Sequence, residues 1–294
     1  MIRRQGFVTG LLRLTACLPL PVVHGIGVVV GWLLWLIPNQ PRRIAAINLT
    51  LCFPDGQDTP LQSRLLRRNL VETSKAMLEL GPLWLWRGEQ VLELVRAVGG
   101  EESLNTAVAQ GRGAIVITPH LGAWEMAGLY VSSRYPLTTL YRPSRLDIDA
   151  LIRAGRERLG ARVVPTDTRG VRALFETLRS GGVLGMLPDQ DPGPGGGIFA
   201  AFFGWPANTM VLLSRLAIKS GAPVILTYAE RLPRGRGYRL YFEALPATVS
   251  TGPLEASVAA VNLAVEQAVR RLPSQYLWAY KRFKTRPSGE PRFY

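Results

Sequence analysis

The chain has 294 residues, a net charge of +14 and a hydrophobic fraction of 47%. Its mean hydropathy is +0.11. That length allows a full core. A soluble nucleic-acid binder of such charge is polar, so a basic and apolar chain reads instead as a protein of an anionic membrane surface, with no nucleic-acid partner. Two cysteines and two histidines leave no disulfide framework and no metal-ligand cluster.

The basic residues are almost all arginine; only Lys75, Lys219, Lys281 and Lys284 are lysine. Guanidinium forks match phosphate and carboxylate bidentately, although codon usage alone can produce the same bias. Arg3, Arg4 and Arg13 precede an uncharged apolar stretch, residues 14–37, that contains Pro19, Pro21, Gly25, Gly27 and Gly31. At 24 residues it exceeds the roughly 20 needed to span a bilayer. It reads as an uncleaved anchor, spanning or re-entrant; the competing reading is a buried core helix.

Residues 42–56 read as a helix ending at Phe53-Pro54, with Asp55-Gly56 as a turn. Residues 60–98 read as helical throughout, with Leu61, Leu65, Leu66, Leu70 and Val71 interleaved with Arg64, Arg67 and Arg68. Such a face can lie on anionic lipid or be a solvated cover over a core. Beyond about residue 100 the pattern alternates. Strands are expected at 113–118, 137–141, 162–165, 183–187, 223–229 and 238–243. Helices are expected at 102–110, 123–133, 145–159, 169–180, 208–220 and 254–271, and a Gly/Pro-rich loop at 189–207. The fold class is therefore α/β, a largely parallel mixed sheet with helices on both faces. The expected organisation is a membrane anchor over 1–40, a helical front over 41–100 and an α/β catalytic domain over 101–294.

The chemistry concentrates in Gly113–Glu125, GAIVITPHLGAWE. A β-branched strand stops at Pro119, and His120 sits in the βα turn, where this architecture places ligands. Glu125 opens the next helix. There its carboxylate is favoured by the helix dipole and can reach back to one imidazole nitrogen, leaving the other as general base. The other reading is a strand-end histidine in a structural hydrogen bond. No serine or cysteine stands beside the motif as a nucleophile, so the pair suits activation of an external hydroxyl. Arg142 follows a short strand and can bind a phosphate or an oxyanion; Asp189 and Gln190 end another strand and can orient the acceptor or Arg142. Lys281, Arg282, Lys284 and Arg286 form a basic cluster that can meet carrier protein or lipid, or be a solvated tail.

GAIVITPHLGAWE resembles the H-x4-[DE] block of the glycerolipid and lipid A acyltransferases, and most closely the late (secondary) lipid A acyltransferases. RRIAAINLTLCFPD (42–55), YRP (141–143), LPDQDPGPGGGIFAAFFGWPANT (187–209) and QYLWAYKRFKTRP (275–287) resemble further blocks of that family in order. Ala123 departs from the asparagine common there. The resemblance implies a glycerolipid-acyltransferase-like fold and an enzyme of the bacterial inner membrane with its catalytic domain on the cytoplasmic side. It implies acyl transfer from acyl carrier protein to a hydroxyl of a lipid A precursor, with His120 as base oriented by Glu125, no acyl-enzyme, and no metal or other cofactor. Two alternatives remain: another glycolipid acceptor, or a non-catalytic protein binding anionic lipid.

Overall fold

The computed structural model describes residues 2–54, 60–141 and 148–294. The expected Asp55-Gly56 turn and Arg142 lie outside the described residues.

The N-terminal apolar stretch is divided. Helix α1 spans Ile2–Ala16 and α2 spans Leu20–Leu36. Pro19 and Pro21 set the break, since proline suits the first turn of a helix and not its interior. Helix α3 (Gln40–Cys52) starts where the Asn39 side chain accepts a 2.9 Å hydrogen bond from the Arg42 N–H, and it ends before Pro54. At 17 residues α2 is roughly 25 Å long, short of the ~30 Å hydrocarbon thickness. No single helix among the described residues is long and apolar enough to cross a membrane; α2 and α3 pass such a test only together, bent by 80°. The expected single anchor over 14–37 is thus two helices meeting at a proline break.

Helix α4 (Pro60–Leu78) packs along α2. A Cβ on Gly31 would lie 2.3 Å from the Val71 Cα, so the two backbones touch at a place only glycine fits. The other side of α1 and α2 is apolar and exposed: Phe7, Leu11 and Leu14, then Val22, Ile26, Val29, Leu33 and Leu36. That spacing of three and four is one stripe on a helix surface.

The expectation of helix throughout 60–98 fails at three points. After α4 come two short helices, α5 (Leu80–Leu85) and α6 (Gly88–Leu92), and then a strand, β1 (Val95–Gly99). This strand joins the sheet edge beside residues 238–241. A five-residue edge strand in which only Val95 and Val98 are even half-buried leaves no alternation to read.

The α/β body follows in alternation: α7 (Glu101–Ala109), β2 (Ala114–Ile117), α8 (Trp124–Arg134), β3 (Leu137–Tyr141), α9 (Asp149–Glu157), β4 (Arg162–Pro165), α10 (Thr168–Arg179) and β5 (Val183–Met186). The expected loop at 189–207 instead contains a hairpin. Its strands β6 (Gly197–Phe202) and β7 (Trp205–Met210) pair antiparallel and form a separate two-stranded sheet. The chain closes with α11 (Leu212–Ser220), β8 (Val224–Arg231), β9 (Tyr238–Ala244), α12 (Thr248–Thr251) and α13 (Leu254–Arg271).

The main sheet has the order β1-β9-β8-β2-β5-β3-β4. Its pairs are parallel except β8 with β9. Apolar cores fill both faces, one built on Ile115, Ile117, Leu184 and Leu226, the other on Ala114, Val116, Val183 and Ile225. Consecutive residues of one strand go to opposite cores, as a period of two requires. The two-sided burial expected for a parallel sheet is therefore present.

Candidate active site

Strands β2 and β5 are parallel neighbours, with Ile117 opposite Met186. Three residues beyond this pair on each strand stand His120 and Asp189. The register alone brings them together at the carboxyl end of the sheet. The His120 Nδ1 lies 2.8 Å from Asp189 Oδ1, and the His120 backbone N–H donates to Asp189 Oδ2 at 2.8 Å. An ionised carboxylate only accepts, so Nδ1 carries the proton and Nε2 keeps its lone pair. The Gln190 side chain lies 3.2 Å from that Nε2, and the Trp124 ring stands 5.2 Å from the imidazole, centre to centre.

Burial alone would raise the Asp189 carboxyl. Attraction to the His120 ring, both hydrogen bonds from it and the more distant Arg282 outweigh burial and hold Asp189 below the usual carboxylate range. The buried Tyr276 hydroxyl has its own ionisation pushed well up, first by burial and then by Asp189.

Glu125 is placed differently from the expectation. It opens α8, but its carboxylate accepts from the Trp84 indole N–H at 3.0 Å and from Arg156, whose Nε lies 3.0 Å away and whose Nη2 makes the second bond of a bidentate pair. The carboxylate hydrogen-bonded to the imidazole is Asp189. Five residues separate His120 from Glu125, and the helix start turns the acid toward α5 and α9 rather than back to the ring. Burial would raise Glu125; Arg156 and Trp84 reverse that and lower it. Arg156 is raised in return, Glu125 outweighing the burial that would lower it. In the sequence Trp84 stands out only as part of the greasy Leu83-Trp84-Leu85-Trp86 cluster, a core segment or an interfacial wedge, and Arg156 is one of many arginines.

The turn that carries His120 is fixed on both sides. Its carbonyl accepts from the Leu277 N–H at 3.0 Å, the Gly122 N–H donates to Gln275 O at 3.0 Å and the Ala123 N–H to Ala229 O at 2.8 Å. Gly122 has φ +62°, and a Cβ there would sit 2.0 Å from the Ala229 oxygen. Only glycine satisfies both conditions. The Gly122 carbonyl accepts from Arg231 Nη2 at 3.1 Å.

Arg231 belongs to a buried node that reaches the N-terminal helices. Its Nε and Nη2 donate to Glu79 at 2.8 and 2.6 Å, and its Nη1 to Glu72 at 3.0 Å. Glu79 also meets His24 of α2 at 2.9 Å and the Tyr238 hydroxyl at 3.0 Å. Burial would raise the Glu79 carboxyl, but Arg231 and the bond from His24 hold it at about 2.

A narrow apolar slot of about 50 Å³ lies on the α8 side of the sheet, lined by Trp124, Glu125, Gly128, Leu137, Arg156 and Met186 among others. A Cβ built on Gly128 meets nothing within 4 Å.

The C-terminal basic cluster does not act as one surface. Arg282 is buried, with its guanidinium donating to Asn208 O and Thr209 Oγ1, both at 2.7 Å, and standing over the Phe202 ring. These are buried acceptors of the β6–β7 hairpin, so Arg282 belongs to the interior rather than to an exposed face. Arg286 donates to Pro206 O and pairs with Glu290. Lys284 is exposed, and Lys281 stands 5.6 Å from the Tyr294 ring. Among the described residues no group of three or more His, Cys, Asp or Glu side chains is placed to hold a metal.

A family model described as bacterial lipid A biosynthesis acyltransferase matches residues 3–285. The lipid A biosynthesis lauroyltransferase of Escherichia coli K12 is 29% identical over 287 residues, 97% of this chain and 92% of that protein. The lipid A biosynthesis palmitoleoyltransferase of the same organism is 30% identical over 292 residues, 98% of this chain and 93% of that protein. A phosphatidylinositol mannoside acyltransferase of Mycobacterium tuberculosis is 33% identical over 156 residues, 51% of this chain and 48% of that protein. Matched across nearly its whole length, the chain belongs to the bacterial lipid A biosynthesis acyltransferase family and is an O-acyltransferase.

Proposed function

We propose that the enzyme moves a fatty acyl chain from acyl carrier protein to a hydroxyl of a lipid A precursor, at the cytoplasmic face of an anionic inner membrane. The observation that carries the mechanism is the His120–Asp189 pair, which leaves Nε2 as an acceptor facing the Gln190 side chain. The acceptor hydroxyl replaces Gln190 at Nε2 and gives up its proton there as its oxygen attacks the thioester carbonyl. The new C–O bond forms and the C–S bond breaks. The imidazolium, stabilised by Asp189, returns the proton to the departing thiolate. Arg156 lies beside the slot, held by Glu125, and stabilises the oxyanion in this scheme. Arg142 keeps its proposed role on a phosphate or that same oxyanion.

No acyl-enzyme is needed. Cys52 is buried, with its thiol pushed well up by burial, and Cys17 lies at the end of α1. The slot is proposed to take the acyl chain. The outward apolar stripe of α1 and α2 supports a position lying on the membrane.

The test is acyl transfer from acyl carrier protein to a lipid A precursor, with His120→Ala, Asp189→Asn and Gly128→Leu beside the wild type. His120→Ala should lose a hundredfold or more in kcat. Gly128→Leu should shift turnover toward shorter donors, because its side chain enters the slot. Near-normal turnover by a folded His120→Ala protein rejects the base. A second reading, another glycolipid as acceptor, is favoured by the match to the mannoside acyltransferase. Mass spectrometry of lipids from a deletion strain separates the two: intact lipid A acylation rejects the first.

A further inference from the structure

A second cavity, of about 920 Å³, lies away from the slot, between the end of α3, the first turns of α4 and the tip of the β6–β7 hairpin. Its walls are apolar: Leu51, Phe53, Leu65, Phe203 and Trp205 line it. Behind Phe53 and Phe203 the aromatic cluster continues through Trp278 to Tyr276, with ring centres 4.8–5.8 Å apart. Its rim carries three arginines, Arg64, Arg68 and Arg270.

The rim cations are not equally engaged. Arg270 pairs with Glu266 at 2.7 Å and stands over the Phe203 ring. Arg64 and Arg68 are exposed and have no ion pair among the described residues. They occur four apart, so they share one face of α4. Arg67 beside them stands 4.6 Å over the Trp32 ring of α2. The arginine rim therefore adjoins the end of the exposed apolar stripe, where Leu33, Leu36 and Ile37 project outward.

We propose that this groove is a binding site for an anionic membrane phospholipid, separate from the acyl-transfer site. The headgroup phosphate meets Arg64 and Arg68 at the rim, and an acyl chain lies in the groove against Phe203 and Trp205. Three features converge on that occupant. Two guanidiniums four apart, with no ion pair among the described residues, match a phosphate diester. A cavity of this volume with apolar walls suits hydrocarbon. An exposed apolar helix end puts the rim at the level where headgroups lie. Soluble anions match the first feature alone. The inference does not depend on His120, since the aromatic cluster stands between the groove and the His120 turn.

The test uses full-length protein and vesicles of phosphatidylglycerol or of phosphatidylcholine. Wild type should favour phosphatidylglycerol, and Arg64→Gln with Arg68→Gln should remove that preference, lowering affinity for it roughly thirtyfold at about fivefold per arginine. Phosphatidylglycerol brominated on its acyl chain should quench tryptophan fluorescence, and Trp205→Phe should lose part of that quenching. His120→Ala should bind as wild type does; that separates this site from the catalytic reading, which a loss of turnover alone tests. Both arginines are on the surface, so a thermal melt equal to wild type is expected of the double variant. Undiminished binding of phosphatidylglycerol by the double variant overturns the proposal. So does quenching identical in wild type and Trp205→Phe. A double variant that loses carrier-protein binding while keeping phosphatidylglycerol binding makes the rim a protein surface and also overturns it.

Discussion

The chain contains two histidines, and both meet a buried carboxylate at nearly the same distance: His24 with Glu79 at 2.9 Å and His120 with Asp189 at 2.8 Å. Their surroundings differ. His24 has a side chain only 3% exposed, and its partner is already claimed by Nε and Nη2 of Arg231. His120 is 14% exposed, its partner has no guanidinium hydrogen-bonded to it among the described residues, and its free nitrogen faces an exchangeable amide. One pair closes a structural node and the other is left open for a proton. A histidine–carboxylate bond by itself does not mark a base. Access to the second nitrogen, and whether another cation neutralises the acid, decide between the two.

That contrast can be broken experimentally. The largest effect should come from His120→Ala, a loss of about a hundredfold to ten-thousandfold in kcat with an unchanged denaturation midpoint. If the midpoint drops and turnover per folded molecule does not, the two histidines have exchanged roles. Next is Arg231→Met, which leaves Glu79 buried without its cation. Breaking such a pair costs about 3–5 kcal/mol, visible as an earlier urea midpoint; an unmoved midpoint means the node holds nothing. The third concerns acid. Glu79 is held at about 2 in the folded protein against an ordinary value of 4.5. A depressed acid contributes stability that is fully present above the unfolded value and lost as pH falls through the folded one. The expected loss is about 3 kcal/mol between pH 4.5 and 2, and Glu79→Gln should flatten stability over that window. The smallest is Asp189→Asn, with kcat lower by about a hundredfold, near 2.7 kcal/mol, because the amide can favour the wrong tautomer. An equal rise in KM for the acyl donor with kcat intact would instead make Asp189 a binding residue.

The alternation of strands and helices is legible in the sequence, whereas partners set by tertiary packing are not. Pro119 after a β-branched run located the βα turn, and His120 fell into it. The strands β2, β3, β4 and β5 each carry enough apolar periodicity to be seen. The partner of His120 was not legible, because 69 residues separate it from Asp189 and only the order of strands puts β2 beside β5. The nearer acid, Glu125, was the natural local choice, and the pairing of Glu125 with Arg156 depends on how α9 packs against α8. The β6–β7 hairpin was hidden by its own composition. Gly204 and Pro206 read as loop, yet one sits at the turn and the other on a strand of a two-stranded sheet. Arg282 reads as surface because charge predicts exposure; the buried carbonyl and hydroxyl acceptors at Asn208 and Thr209 hold it inside.

The close approach of α2 to α4 bears on how this enzyme can be handled in solution. Gly27 and Gly31, one turn apart, press against Lys75 and Val71, and His24 on the same helix closes the node that ends at the Gly122 carbonyl. The greasy N-terminus is therefore a wall of the protein. Cutting it away to gain solubility would wet Glu79 and Arg231 and loosen the turn that presents His120. Recolouring serves better: polar residues at Val22, Ile26, Val29 and Leu36, with His24, Gly27 and Gly31 untouched, would remove the sticky stripe and leave the wall standing.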